Sequence, residues 1–286
     1  MKLFLLSILI FLIGCQQNNS KITDKNTTAE KFTRDLKSIK ESGKLRALTI
    51  YSGTSYFLYK GRPMGFEYEL LERLAKNLDV ELEMVLAKNE NDLIKLLQSG
   101  EGDLLAYGYT ITEARKKQIN FTTPLYLSHQ VLVQRKPKHW RQMKLHEIKN
   151  YLITNPVELL GDTISVKQNS SYASRVKNLS EELGGDIIID TLNGSLSTDK
   201  IIKKVADGSI KYTIADENIA FINASYYPIL DISTPVSLSQ RIGWAVRKRD
   251  TQLLKTVNNW IEEAKKTTDY HVIYNKYYKN KRRYKA

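Results

Sequence analysis

Apolar and polar positions along this chain follow two rhythms that replace one another every ten residues or so. Lys44-Leu45-Arg46-Ala47-Leu48-Thr49-Ile50 reads as a short strand, and Tyr51-Ser52-Gly53-Thr54 closes it. Residues 67–77 change to a helical period that puts Leu70, Leu71, Leu74 and Ala75 on one face. Apolar and acidic residues alternate in 80–85 as in a strand, 91–99 is a second helix stopped by Gly100, and 103–107 is a short buried strand. Ahead of these, 32–42 mixes apolar and charged residues at helical spacing, with Gly43 as the stop.

The alternation resumes after an interval. It predicts strands at 129–134, 163–166, 186–191 and 212–215, the last ending at Asp216. Helices fall between them at 145–152, 170–183 with a Ser or Asn cap, 197–207 closed by Gly208, and 218–224. A strand at 242–246 leads into a long amphipathic helix over 251–266. A Tyr- and Lys-rich end follows from Tyr270, and its charge run at 279–283 reads as a frayed tail. Strands alternating with helices predict βαβ units and mostly parallel sheet, in two α/β lobes.

The N-terminus changes the picture of where the chain works. Met1-Lys2 leads into an apolar run over 3–13 that ends at Gly14-Cys15, the pattern of a signal peptide and too short to span a bilayer. Leu12-Ile13-Gly14-Cys15 resembles the bacterial lipobox, in which the cysteine is lipidated; a plain secretory signal with a chance cysteine is the other reading. Cys15 is the only cysteine, so the exported chain has no internal disulfide and relies on its core. Residues 16–28, rich in Gln, Asn, Ser, Thr and Lys, read as a tether.

Charge raises a second question. Lys and Arg number 44 against 31 Asp and Glu, a net charge of +13 that suggests a polyanionic partner. Export makes nucleic acid the wrong polyanion. Anionic lipid, cell-wall polymer or a merely basic solvated surface stay open.

Four phrases then stand in a familiar order: Gly65-Phe66-Glu67-Tyr68-Glu69-Leu70, Ser99-Gly100-Glu101-Gly102-Asp103, Thr110-Ile111-Thr112-Glu113-Ala114-Arg115 and Phe121-Thr122-Thr123-Pro124. Together they resemble the family 3 extracellular solute-binding proteins, the amino-acid-binding class of periplasmic binding proteins, over about 44–278. Val205-Ala206-Asp207-Gly208, Tyr226-Tyr227-Pro228-Ile229-Leu230 and Arg241-Ile242-Gly243-Trp244-Ala245-Val246-Arg247 are similar to the binding module that precedes the catalytic domain of membrane-bound lytic murein transglycosylases. The sequence given stops about where that catalytic domain would begin.

The resemblance implies an α/β fold of the type 2 periplasmic-binding-protein class, two lobes joined by two hinge strands. Its expected layout is a lipoprotein signal at 1–15, a tether and short helix at 16–43, a first lobe from 44–128 plus 240–286, and a second from 129–239. The expected crossings lie near 126–130 and 237–241.

One arginine after a Thr-x-Thr turn suits a carboxylate clamp, because a guanidinium presents a rigid fork of donors. Arg115 is the candidate, with Thr110 and Thr112 as added donors; helix capping or a surface ion pair is the alternative for Arg115, and helix capping for the two threonines. The resemblance assigns Asp216 to a ligand ammonium, against a plain role as helix N-cap. It places Asn169, Ser170 and Ser171 at a helix N-terminus offering donors to an anion, with Asn169 where the family has glycine. Tyr51 and Tyr56 would form an aromatic wall, or else pack in the core.

Enzymatic signatures are thin. His129, His139, His146 and His271 have no metal-ligand spacing, and no nucleophile elbow or flanking carboxylate pair stands out. No cofactor is expected. The expected partners are a small zwitterion (an amino acid or a cell-wall peptide), the membrane through a lipid anchor, and peptidoglycan, with the chain a monomer on the outer rather than the inner membrane. The main reading is the regulatory part of a murein lytic transglycosylase. The alternatives are a receptor for an ABC importer and, from another class, a murein-cleaving enzyme.

Overall fold

Strand Lys44–Ile50 lies within a six-stranded mixed sheet, the first lobe's main sheet, and its neighbours explain the architecture. The computed structural model describes residues 34–279; Cys15, the signal-like run, the tether and residues 280–286 lie outside it. The first sheet runs in the order Glu81–Ala87, Lys44–Ile50, Leu104–Thr110, Gln240–Arg247, Ile119–Phe121, and Tyr126–Ser128 also pairs with Gln240–Arg247. Lys44 lies opposite Glu81 and Ile50 opposite Ala87 in parallel register. Gln240–Arg247 is antiparallel to each of its neighbours.

The expectation of mostly parallel sheet therefore holds for two of the five strand pairs here, and every antiparallel pair involves Gln240–Arg247. Parallel neighbours need a crossover on one face of the sheet. Gln240–Arg247 arrives instead from the second lobe, at the opposite end of the sheet, and so runs the other way.

Both faces of this sheet are covered, as its run of buried Ala47, Leu48 and Thr49 requires. Helices Phe66–Leu78, Thr251–Ala264 and Thr268–Tyr278 pack one face around Trp244, Leu70 and Leu74. Helix Glu90–Ser99 covers the other through Leu93 and Leu97. Phe66–Leu78 can start where it does because Gly65 has φ 144 and a Cβ there would sit 2.0 Å from the Ser55 carbonyl oxygen.

The second lobe centres on Gln130–Arg135, antiparallel to Thr213–Asp216 on one side and to Leu230–Asp231 on the other. Thr163–Lys167 pairs in parallel with Ile188–Leu192 and reaches the rest through an Ile164–Tyr212 bridge. Helix Ser171–Leu183 buries Tyr172, Val176 and Leu179 against one face, while Thr198–Asp207 and Glu217–Tyr226 cover the other. The connecting segments run side by side: Gln130 N–H donates to Ser237 Oγ at 2.8 Å, and its carbonyl accepts from Val236 N–H at 2.8 Å.

Three local expectations change. The strand expected at 103–107 runs through Thr110, so Thr110 is a strand residue. The hairpin Phe57–Tyr59 with Arg62–Met64 was not foreseen; Lys60 and Gly61, at φ 50 and 76, make its two-residue turn. The Tyr-rich end is helix Thr268–Tyr278, which buries Tyr270, Ile273, Tyr277 and Tyr278 in the first core. Of the supposed frayed run, Lys279 ends this helix and the rest lies outside the described residues.

Candidate functional site

At the end of strand Leu104–Thr110 the chain turns into the one-turn helix Glu113–Lys116, and this turn fixes Arg115. Thr112 caps the helix, its Oγ1 accepting from the Arg115 N–H at 3.3 Å. The Arg115 side chain folds back: Nη1 donates to the Thr110 carbonyl at 3.0 Å and the guanidinium lies 3.5 Å over the Tyr109 ring. Nη2 donates to Glu90 Oε1 at 2.7 Å. Glu90 opens helix Glu90–Ser99, where the helix dipole favours an acid. Its other oxygen is 3.6 Å from Lys167 Nζ, at the end of a second-lobe strand.

The Arg115, Glu90 and Lys167 side chains are only 12%, 12% and 6% exposed. The guanidinium is thus turned into the cleft, and one of its arms is held by the protein's own carboxylate.

The facing wall belongs to the second lobe. Ser170 caps helix Ser171–Leu183, its Oγ accepting from Ala173 N–H at 3.3 Å and donating to the Lys167 carbonyl at 2.6 Å. Asn169 has φ 57, a left-handed conformation that asparagine tolerates, which accounts physically for an Asn at a position held by glycine elsewhere. Asp216 stands at the N-cap of helix Glu217–Tyr226 yet makes no side-chain cap bond. Its Oδ2 accepts from the Tyr172 hydroxyl at 3.2 Å, and Oδ1 has no hydrogen-bond partner among the described residues. Loss of water raises its pKa to about 7, the Tyr172 hydroxyl holding it down and the nearby Glu90 charge pushing it up.

Two cavities of about 400 Å³ each border the Glu90–Arg115–Lys167 bridge, one at Glu90 and Lys167 and the other at Arg115. One is lined by Tyr51, Lys88, Glu90 and Tyr107 from the first lobe and by Lys167 and Asp199 from the second. The other is lined by Thr112 and Arg115 across from Asn169, Ser170, Ser171 and Arg175. Six of the nine candidates read from the sequence, all but Thr110, Tyr56 and Asp216, therefore line a cavity. Tyr51 is 55% exposed and meets Tyr56 edge-on, with ring centroids 6.5 Å apart; Tyr56 in turn packs edge-on against Tyr68.

Sequence reasoning missed Glu90, Lys167, Tyr107 and Tyr172. Glu90 carries no signal beyond an ordinary acid in a first helical turn. Lys167, two residues from Asn169, was within reach. Among the described residues, no group of three or more His, Cys, Asp or Glu side chains is placed to hold a metal. No described helix is long and apolar enough to cross a membrane.

The family model for bacterial extracellular solute-binding proteins, family 3, matches residues 49–280. The chain belongs to this solute-binding family. Membrane-bound lytic murein transglycosylase F of Desulfosudis oleivorans is 34% identical over 240 residues, covering 84% of this chain and 50% of that protein. Its namesake from Photobacterium profundum is 27% identical, over 95% of this chain and 48% of that protein. The family 3 chain thus spans about half the length of these relatives, matching their N-terminal part.

Among solved structures, a mutant of ArgBP from T. maritima is similar with a TM-score of 0.70 and 28% identity, covering 86% of this chain and 99% of that one. An ancestral arginine-binding protein bound to arginine has a TM-score of 0.68 and 26% identity, over 82% of this chain and 98% of that one. The type 2 solute-binding fold, with two lobes and two connecting strands, is common to all of them.

Proposed function

We propose that this chain is a solute-recognition module of the cell envelope, binding a small zwitterion between lobes 44–128 plus 240–286 and 129–239. The ligand would be an amino acid or a peptide cut from the cell wall. The observation that carries the reading is the inward-facing Arg115 guanidinium, set across a cavity from the helix N-terminus at Ser170 and Ser171.

In this reading the ligand carboxylate takes donors from Arg115 and from the first N–H groups of helix Ser171–Leu183. Thr110 and Thr112 hold the turn that aims the guanidinium. The ligand ammonium pairs with Asp216, whose buried carboxyl gives up its proton to do so. Glu90 is the group the ligand displaces from Arg115. Tyr51 and Tyr56 flank the side chain, and contact with both walls favours the closed arrangement.

Supported by the transglycosylase relatives, the wider role is the regulatory part of a murein lytic transglycosylase, lipid-anchored at Cys15 on the outer membrane and near peptidoglycan. A second reading, a monomeric receptor serving an ABC importer, is favoured by the match to 98–99% of the arginine-binding chains. Nucleic acid is no partner in either reading, and neither involves a cofactor or a covalent step.

The test is a thermal-shift screen over amino acids and muropeptides, followed by calorimetry. The expected result is a shift with at least one zwitterion and a loss of about 100-fold in affinity in Arg115→Ala, the worth of one charge-assisted contact. A screen flat for every compound overturns the reading. Release of anhydro-muropeptides from murein sacculi by the purified chain would instead favour an enzyme.

A further inference from the structure

Between strand Gln130–Arg135 and residue 153 the second lobe sends out an excursion, residues 136–152, that the cleft does not use. Its base is stapled. The buried Gln134 amide donates to the Ile153 carbonyl and accepts from the Ile153 N–H, both at 2.9 Å, and Thr234 Oγ1 donates to the same carbonyl at 2.6 Å. Ile148 and Leu152 turn inward and are buried.

What faces outward is basic and apolar together. The segment holds Lys136, Lys138, Arg141, Lys144 and Lys149 against the single acid Glu147, and Glu147 Oε2 is taken up by the Lys144 N–H at 2.8 Å. Lys138, Arg141, Lys144 and Lys149 are exposed. Beside them Leu145 is 70% and Tyr151 68% exposed, an apolar display that water disfavours. Half-buried Trp140 is flanked by Lys136 Nζ and the Arg141 guanidinium, 4.5 and 5.0 Å from its ring centroid.

We propose that residues 136–152 form a membrane-contact surface that settles on a leaflet rich in anionic headgroups. The four exposed cations meet the negative surface potential, Leu145 and Tyr151 enter the headgroup–acyl boundary, and Trp140 sits at headgroup level. An anionic cell-wall polymer would satisfy the cations alone and leave Leu145 and Tyr151 in water, so the lipid surface is the occupant that uses the whole face. The charge excess of the chain, +13, gains a direction from this. The surface belongs to the second lobe and is independent of what the cleft binds.

Vesicle sedimentation of the full chain tests it, with phosphatidylglycerol vesicles against pure phosphatidylcholine. Any contribution of the N-terminal apolar run is common to both lipids and to every variant. The expected result is preference for phosphatidylglycerol that fades between low and high salt, and a loss of roughly 100-fold when Lys138, Arg141, Lys144 and Lys149 all become Gln. Leu145→Ser with Tyr151→Ser costs several-fold on the same vesicles. The swap Lys138→Arg, Lys144→Arg, Lys149→Arg keeps charge and retains binding, and circular dichroism checks the fold of each variant. Equal binding of the Gln variant and the parent to phosphatidylglycerol overturns the proposal. So does a parent that does not distinguish the two lipids, or one that loses only its sedimentation with murein sacculi when the cations are removed.

Discussion

Glu67 and Asp216 are two buried carboxyls, and their surroundings separate two regions of the molecule. Glu67 lies fully buried beneath the first sheet, at the start of helix Phe66–Leu78. Neither of its oxygens has a hydrogen-bond partner among the described residues, and a Cβ on Gly108 would come within 3.5 Å of one of them. Phe66 beside it meets Tyr126, Tyr270 and Tyr274 edge to face and Tyr278 at a tilt. Loss of water raises its pKa to about 8, with its own backbone N–H and the Ser55 side chain pulling the other way. Asp216 also loses water and rises to about 7, the Tyr172 hydroxyl and the Arg115 charge holding it down and the Glu90 charge pushing it up. Burial sets the direction in both places; Asp216 also feels the charges of Glu90 and Arg115, whereas Glu67 sits by aromatic rings with Ser55 beside it.

Breaking the floor gives the largest expected effect. Phe66→Ala removes a fully buried ring at the centre of the tyrosine cluster and should cost about 3–5 kcal/mol in urea unfolding. A cost under 1 kcal/mol would mean the floor is loosely packed.

The next effect follows from the sign of the Glu67 shift. Its carboxyl ionises in the unfolded chain near 4.5 but in the folded one only at about 8. Stability is therefore fully present below the lower value and falls as pH rises towards the upper one, by at most about 1.4 kcal/mol per pH unit. Glu67→Gln should remove that slope, read as the difference between parent and variant in denaturation at pH 5 to 8. Parallel curves would show that the acid is solvated.

On the cleft side the expected effects are smaller and concern binding. The zwitterion's affinity should fall by up to about tenfold per pH unit below about 7, as Asp216 holds its proton against the incoming ammonium. Asp216→Asn should bind more weakly and flatten that dependence in calorimetry; a variant that keeps the parent's slope moves the proton elsewhere. Smallest is Glu90→Gln, which frees one arm of Arg115 and should raise affinity roughly three- to tenfold, the worth of one exchanged hydrogen bond. A drop instead would make Glu90 part of the ligand's own contact set.

Much of this was legible from residue order, where the signal is local. The strand at 44–50 appears as read, and the helix at 91–99 gains only Glu90 at its start. Gly100 and Gly208 take the left-handed caps that helix stops require, and Ser170 caps its helix. Of the site, Arg115 and the Asn169–Ser171 corner could be named in advance because a turn motif and a helix start mark them. The Tyr-rich C-terminal helix was hidden because tyrosines rather than aliphatic residues make most of its buried face, and its burial depends on Phe66 and Tyr126, distant in the chain.

Alternation of apolar residues, turn glycines and capping side chains by themselves determined most of the elements and their order, since each depends on neighbours a few residues apart, and the solute-binding family was signalled by motif phrases that resemble it. Tertiary structure alone decided which charges meet: that Glu90 occupies Arg115 and reaches Lys167 across the lobes, and that Asp216 is stripped of water while its neighbour Glu217 is left exposed. The physical reason is that electrostatic partnership and desolvation depend on distances through space, which a linear order of residues leaves unset.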